Sequence, residues 1–172
     1  MTDTRPGTEE TLQSLVSEMN GLGGGGEDGD AEPAARTEAV VEETAATLYD
    51  GDSLSIEEGL VKESLPNLLT ALVELRRSET HGKGVMEDLE RFFGVDLSPG
   101  TVYPVLHDLE EGGLLSVHEL VQTKEYSIDD GDAARQRLED AMGQHLALGL
   151  VFRRALEGLD ESDDGDDTTI RL

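Results

Sequence analysis

The chain has 172 residues, with 39 Asp and Glu against 13 Lys and Arg, and its formal net charge is −26 at pH 7. Its hydrophobic content of 36% predicts a small aliphatic core, and the absence of cysteine excludes disulfides, thiolate metal sites and a cysteine nucleophile. No apolar run is long enough to cross a bilayer, and the acidic N-terminus lacks signal-peptide features. We therefore expect a soluble, cytoplasmic protein with no membrane partner.

Residues 1–35 are predicted to form a flexible acidic segment. The spacing of four apolar residues predicts a short amphipathic helix there: Leu12, Leu15, Val16 and Met19. The glycine-rich run 21–26 that follows is typical of a linker. It contains the pattern G-x-G-x-x-G, but a dinucleotide site needs this pattern between a buried strand and a helix, and neither is indicated here. A helical extension is predicted over 36–63, with its main helix at about 37–49.

Residues 64–130 have the pattern of three helices followed by a hairpin. The first helix begins near Ser64, and the second spans about 82–93. The third, 98–111, has the clearest start signal in the chain, because Ser98 can act as an N-cap and Pro99 occupies the first helical position.

Two glycines, Gly112 and Gly113, end this third helix. Partial alternation of apolar residues over 114–121 and 124–128 predicts two strands joined by a short turn at Gln122-Thr123. Three helices with short connections and a hairpin are typical of a winged helix-turn-helix. The fold class predicted is therefore mainly α with a small β-hairpin and a long C-terminal helix.

A long helix is predicted over 131–159, followed by a disordered acidic tail at 160–172. Its apolar residues recur with alternating steps of four and three, which is the heptad spacing of paired helices. The helix is longer than the winged domain needs for its own core, so its apolar face is expected to meet a second copy of the chain. The predicted dimer interface contains Leu138, Met142, His145, Phe152 and Leu156.

The run LSPGTVYPVLHDLEEGGLL at residues 97–115 follows a His81-Gly82 helix start and precedes a strand with Tyr126. This combination resembles the PadR family of winged-helix transcriptional regulators, and the resemblance covers about residues 65–158. It implies sequence-specific binding of double-stranded DNA by a homodimer and no enzymatic activity. The chain departs from the family pattern at Asp108, where many relatives have Arg or Lys, and in a wing that is poor in basic residues.

Helical geometry places one face of the third helix outward, toward a DNA major groove. The predicted DNA-binding residues are Lys83, Ser98, Gly100, Thr101, Tyr103, His107 and Lys124. Simpler roles stay open: Ser98 can serve only as a cap, Tyr103 can only pack, and the two lysines can be solvated surface. The four histidines are too scattered for a metal pair, so no metal or cofactor is expected.

Acidic residues are spread along the whole chain, and lysine is scarce. This composition resembles that of proteins from salt-accumulating halophiles, where screening reduces self-repulsion. At molar salt little is gained by releasing cations from phosphates. We therefore predict that K+ or other cations bridge carboxylates and phosphates at the DNA interface. A mesophilic protein with disordered tails, or a nucleic-acid mimic, is the alternative interpretation of the acidity.

Two other functions are compatible with the sequence. A winged-helix adaptor would bind protein partners instead of DNA, and an acidic surface around Asp108 without Lys83 and Lys124 nearby would favour it. A small-molecule sensor with a pocket near Phe152 is a weaker possibility. The operator, the sign of regulation, any effector and the role of residues 1–60 do not follow from the sequence.

Overall fold

The computed structural model describes residues 33–49, 53–78 and 80–163, with side chains described as far as residue 159. The amphipathic helix predicted near residue 12, the glycine-rich linker and the end of the acidic tail lie outside these ranges. The described helices are α1 (Ala35–Tyr49), α2 (Glu58–Glu63), α3 (Leu65–Arg76), α4 (Gly82–Phe93), α5 (Pro99–Glu111) and α6 (Gly131–Asp163). The strands are β1 (Leu115–Glu119) and β2 (Lys124–Ile128). The chain divides into two compact units, of which the first ends at Asp130 and the second begins at Gly131.

The body, residues 33–130, has an aliphatic core in which α3, α4 and α5 pack together. The helical periods place large side chains from each of these helices inside, and the sheet adds one more: Leu69, Leu72, Leu89, Leu106 and Leu115 are fully buried. Helix α1 packs on α3 and α4, and α2 contributes the buried Val61. Helices α3 to α5 with the hairpin form the winged helix-turn-helix that the sequence predicts.

Helix α4 is fixed to α3 by a buried ion pair that the sequence analysis missed. Nη1 of Arg76 lies 2.7 Å from a carboxylate oxygen of Asp88, and it also donates to the Gly84 carbonyl at 3.2 Å. These side chains are only 11% and 4% exposed. Burial raises the pKa of Asp88 above its ordinary value, while the hydrogen bond and charge of Arg76 oppose this. The ion pair therefore helps to fix the position of α4, the helix that begins at Gly82 and contains Lys83.

The two strands form an antiparallel hairpin that pairs Leu115 with Ile128 at one end and Glu119 with Lys124 at the other. The prediction that the first strand reaches Val121 is wrong. The strand ends at Glu119, and the Leu120 N–H donates to the Thr123 carbonyl at 2.8 Å, so the centre of the turn is Val121-Gln122 and not the predicted Gln122-Thr123. Val121 thus lies at the tip of the wing.

Helix ends in the body follow local chemistry only in part. Gly94 ends α4 in the left-handed conformation, at φ 67°, as a C-terminal glycine should. Ser64 and Ser98 occupy N-cap positions, but neither side chain makes the capping hydrogen bond that the sequence predicts. The serine at the start of α5 is therefore available for another partner.

Helix α6 has 33 residues, which corresponds to a length of about 50 Å. It continues to Asp163, past the end predicted for it. Most of its large apolar side chains beyond position 141 are exposed: Met142, Leu148, Leu150, Val151, Phe152, Leu156 and Leu159. Within the described residues, no helix combines the length and apolarity needed to cross a membrane.

Candidate nucleic-acid interface

Helix α5 has a buried face and an exposed face. Val102, Leu106 and Leu109 are buried against the body, and Val105 is half-buried. The opposite face is exposed along its length, with Gly100, Thr101, Pro104, His107 and Asp108. Because proline has no N–H, Pro104 leaves the Gly100 carbonyl without its usual donor in the helix. The exposed face therefore presents hydroxyl, imidazole and carbonyl groups together with the Asp108 carboxylate, which can all form hydrogen bonds.

The first turn of α5 holds a pair of hydroxyl groups. The Ser98 Oγ lies 3.1 Å from the Thr101 Oγ1, and both residues are exposed. The N–H groups of Thr101 and Val102 donate to the Ser98 carbonyl, so the backbone start is formed without the serine side chain. The two hydroxyls are positioned as a unit at the end of the helix from which recognition helices contact bases.

Tyr103 lies against the start of α4 and is still 40% exposed. A Cβ atom added at Gly82 would lie 2.5–2.7 Å from three atoms of the Tyr103 side chain, the ring carbons Cε1 and Cζ and the hydroxyl oxygen. Glycine at position 82 is therefore what allows the ring to approach the backbone this closely. Tyr103 packs on the backbone at Gly82 and is also accessible to solvent. Its packing role therefore does not exclude contact with a ligand.

A cleft of about 450 Å³, called here the wing cleft, separates the wing turn from the start of α4. Tyr103 lines it together with Lys83 from α4 and Lys124 from β2. Three of the predicted DNA-binding residues, from separate elements, thus lie around one opening. Both lysines of the adaptor criterion line this cleft, whereas Asp108 is not among its lining residues.

The position of the wing is fixed by contacts with the residues that precede α4. The Tyr126 N–H donates to the Thr80 carbonyl at 2.9 Å, and His81 forms an isolated bridge with Glu125. The His81 Nδ1 lies 3.3 Å from the Lys124 carbonyl oxygen, so this nitrogen is the donor. The Tyr126 side chain is buried, and burial raises the pKa of its hydroxyl. These contacts hold one wall of the wing cleft against the other.

The two lysines and the imidazole of this surface lie close to carboxylates. Lys83 Nζ is 3.7 Å from Glu87, and Lys124 Nζ is 3.5 Å from Glu119. The imidazole nitrogens of His107 lie 3.5 Å from Glu110 and 3.7 Å from Glu111. These side chains are 38–83% exposed, so the pairs add little to folding stability. Their main effect is to reduce the positive potential that the surface offers to phosphates.

The predicted interface residues of α6 differ in exposure. Met142, His145, Phe152 and Leu156 are exposed, whereas Leu138 is half-buried. The His145 Nδ1 lies 2.7 Å from the Ala141 carbonyl, one helical turn earlier. Leu148 lies on the same helical stripe, four residues before Phe152, and was not singled out from the sequence.

Residues 71–138 match the family described as the transcriptional regulator PadR-like family. Transcriptional activator GvpE1 of Halobacterium salinarum is 36% identical over 121 residues, covering 68% of this chain and 63% of that protein. Transcriptional activator GvpE of Haloferax mediterranei is 37% identical over 99 residues, covering 58% and 51%. The chain thus spans between about half and two thirds of the length of these haloarchaeal relatives, and its acidic composition agrees with their origin.

Transcriptional regulator Rv3488 of Mycobacterium tuberculosis is 39% identical over 82 residues, covering 48% of this chain and 67% of that protein. The family and all three relatives are named for regulation of transcription and not for an enzymatic reaction. The resemblance found in the run at residues 97–115 is therefore confirmed. The chain belongs to the PadR-like family of transcriptional regulators.

Proposed function

We propose that this protein regulates transcription by binding double-stranded DNA as a homodimer, with α5 in the major groove. The observation that carries the proposal is the exposed face of α5, which no described part of the body covers and which borders the wing cleft. A major groove is wide enough to admit an α-helix, and its base edges offer distinct patterns of donors and acceptors. The hydrogen-bonding groups on this face match that requirement.

The proposed contacts divide into two kinds. Ser98, Thr101 and His107 read base edges or neighbouring phosphates from the exposed face of α5, with Gly100 allowing close approach of the backbone. Tyr103, Lys83 and Lys124 contact the sugar–phosphate strand at the wing cleft. Contacts of the second kind set the register on the duplex and carry no sequence information themselves.

Homodimer formation is proposed through the exposed apolar stripe of α6. Phe152, Leu156 and Leu159 are each more than 60% exposed, and they follow the heptad spacing of paired helices. A continuous apolar stripe of this kind on a monomer marks an interaction surface. A dimer presents two copies of α5, which corresponds to a pseudo-palindromic operator.

A role for K+ or other cations is proposed from the ion pairs of the interface. DNA phosphates that approach Lys83 and Lys124 also approach Glu87 and Glu119, and cations taken up between the carboxylates and the phosphates would reduce this repulsion. An ordinary regulator releases cations and loses affinity as salt increases. Here the affinity is expected to stay constant or to increase with KCl.

The first test is immunoprecipitation of the protein with its chromosomal DNA in native salt, followed by binding of the enriched promoter fragments in vitro. Tyr103→Ala is compared with Tyr49→Ala, because both tyrosines are 40% exposed. We expect affinity to fall on the order of tenfold for Tyr103→Ala and to remain unchanged for Tyr49→Ala. Failure of the wild-type chain to bind any enriched fragment in the absence of other proteins would contradict DNA binding and favour the adaptor.

The cation proposal is tested by measuring affinity for the same fragment over a series of KCl concentrations. The wild-type affinity should be flat or rise with KCl. The double variant Glu87→Gln/Glu119→Gln removes the paired carboxylates, so its affinity should fall more steeply with salt than that of the wild type. A steep loss of wild-type affinity with added KCl contradicts cation uptake but leaves DNA binding intact.

A further inference from the structure

The tip of the wing has a composition that turn formation does not explain. The hydrogen bond from Leu120 N–H to the Thr123 carbonyl leaves Val121 and Gln122 as the two central residues of the turn. Two-residue hairpin turns favour glycine or asparagine with positive φ. Among described residues other than glycine, only Arg77 has positive φ, so this turn is not of the favoured type. A β-branched valine at its tip offers no benefit for folding.

The same tip is apolar and exposed. Val121 is fully exposed, and Leu120 beside it is nearly half exposed. Within the described part of the winged domain, Val121 is the most exposed large apolar residue, and it lies at the end of the hairpin with Leu120 beside it. These two side chains stabilise the protein only when another surface covers them and removes them from water.

The surface that could cover these two side chains follows from where the wing tip lies. Both residues lie on the rim of the wing cleft, opposite Lys83 and Tyr103. In B-form DNA a single sugar–phosphate strand separates a major groove from the adjacent minor groove. With α5 in the major groove, this strand passes through the wing cleft, between its two lysines. The wing tip on the far side of the strand then faces the neighbouring minor groove.

We propose that Leu120 and Val121 form an apolar wedge that enters the minor groove, partly unstacks one base step and bends the duplex. Minor-groove proteins use aliphatic side chains in this way. The contact involves no charged group, so salt does not screen it, which suits a surface whose two lysines are each paired with a glutamate. It also favours flexible pyrimidine–purine steps, and thus adds specificity outside the reach of α5. This inference rests on the proposed DNA binding.

The test uses the full-length chain in molar KCl and the most enriched promoter fragment from the immunoprecipitation. Leu120→Ser/Val121→Ser is compared with Val40→Ser/Leu48→Ser, which removes a leucine and a valine of similar type from the exposed side of α1. A series of duplexes carries 2-aminopurine at successive adenines, because its fluorescence increases when a base unstacks.

We expect the wild type and the α1 variant to increase the fluorescence at one position outside the α5 contact. The wing variant should lose this signal and bind on the order of tenfold more weakly. The two variants should lower the thermal midpoint by similar small amounts, since Val121 is fully exposed and the other three side chains are nearly half exposed.

Two outcomes overturn the wedge while DNA binding stands: wild-type binding without a fluorescence increase at any position, or equal affinity and signal in the wing variant. Unchanged DNA binding with loss of transcriptional activity in the wing variant would instead assign the tip to a protein contact and also overturn the wedge. Absence of wild-type binding overturns the proposed function itself.

Discussion

The body and α6 place the same kind of side chain in opposite environments. Leu106 of α5 is 0% exposed, whereas Leu156 of α6 is 61% exposed. Both belong to regular apolar stripes on well-formed helices. The stripe of α5 is covered by α3, α4 and the hairpin, whereas the second half of α6 leaves its stripe in water. The body thus completes its core within one chain, and α6 has apolar surface that only another surface can cover.

This difference separates two kinds of stability. A buried stripe contributes to the folding of a single chain, by about 25 cal/mol for each Å² of apolar surface removed from water. An exposed stripe contributes nothing to folding and becomes favourable only on association. Substitutions in the body should therefore change the free energy of unfolding, and substitutions on the α6 stripe should change the oligomeric state.

The largest effect is expected when the two leucines are compared directly. Leu106→Ala leaves a cavity in the core and should lower the free energy of unfolding by about 4 kcal/mol. Leu156→Ala should leave the unfolding of dilute, monomeric protein within about 0.5 kcal/mol of the wild type. Urea unfolding in molar KCl, at protein concentrations below association, measures both. Equal losses in the two variants would show that the α6 stripe is already covered within the monomer.

A second prediction concerns the buried ion pair of the body. Arg76→Met removes the hydrogen bond and charge that lower the pKa of Asp88, so burial raises that pKa further. The folded state then binds this proton more tightly than the unfolded chain. The stability that the bound proton of Asp88 contributes is present at acidic pH. It is lost as the pH rises through the pKa of Asp88 in the folded variant. We expect a loss of about 3 kcal/mol at neutral pH and a smaller one at mildly acidic pH.

Urea unfolding at the two pH values tests this expectation. The control is Arg77→Met, the adjacent and exposed arginine, which should have little effect at either pH. Adding Asp88→Asn to Arg76→Met should recover part of the loss at neutral pH, because it removes the unpaired charge. A loss that is independent of pH, or no recovery, would show that Arg76 acts by packing alone.

The third prediction tests the α6 stripe itself. Phe152→Asp places a charge within the proposed dimer contact and should weaken self-association at least on the order of tenfold. Leu150→Asp places the same charge on the opposite side of the helix and should leave association unchanged. Light scattering after size-exclusion chromatography in molar KCl measures the dimer fraction. A wild-type chain that is monomeric at all concentrations would contradict the dimer.

Most of the helices could be predicted because their signals are local. Pro99 at the first turn of α5 and Gly94 after α4 fix helix ends by rules that involve only neighbouring residues. The end of β1 could not be predicted in the same way, because Leu120 and Val121 continue the apolar pattern into the turn. Serine at position 98 predicts the start of α5 correctly but not its own contact. The Ser98 hydroxyl hydrogen-bonds to the Thr101 hydroxyl and does not cap the helix.

The sequence alone determined the order of the elements, the faces of α5 and the exposed stripe of α6, since each depends on the spacing of residues a few positions apart. The tertiary structure decided which distant residues meet. Lys83, Tyr103 and Lys124 line one cleft, and the Arg76 side chain forms a buried ion pair with Asp88 of the next helix. Such contacts depend on how helices and hairpin pack in three dimensions, and residue spacing along the chain carries no record of that packing.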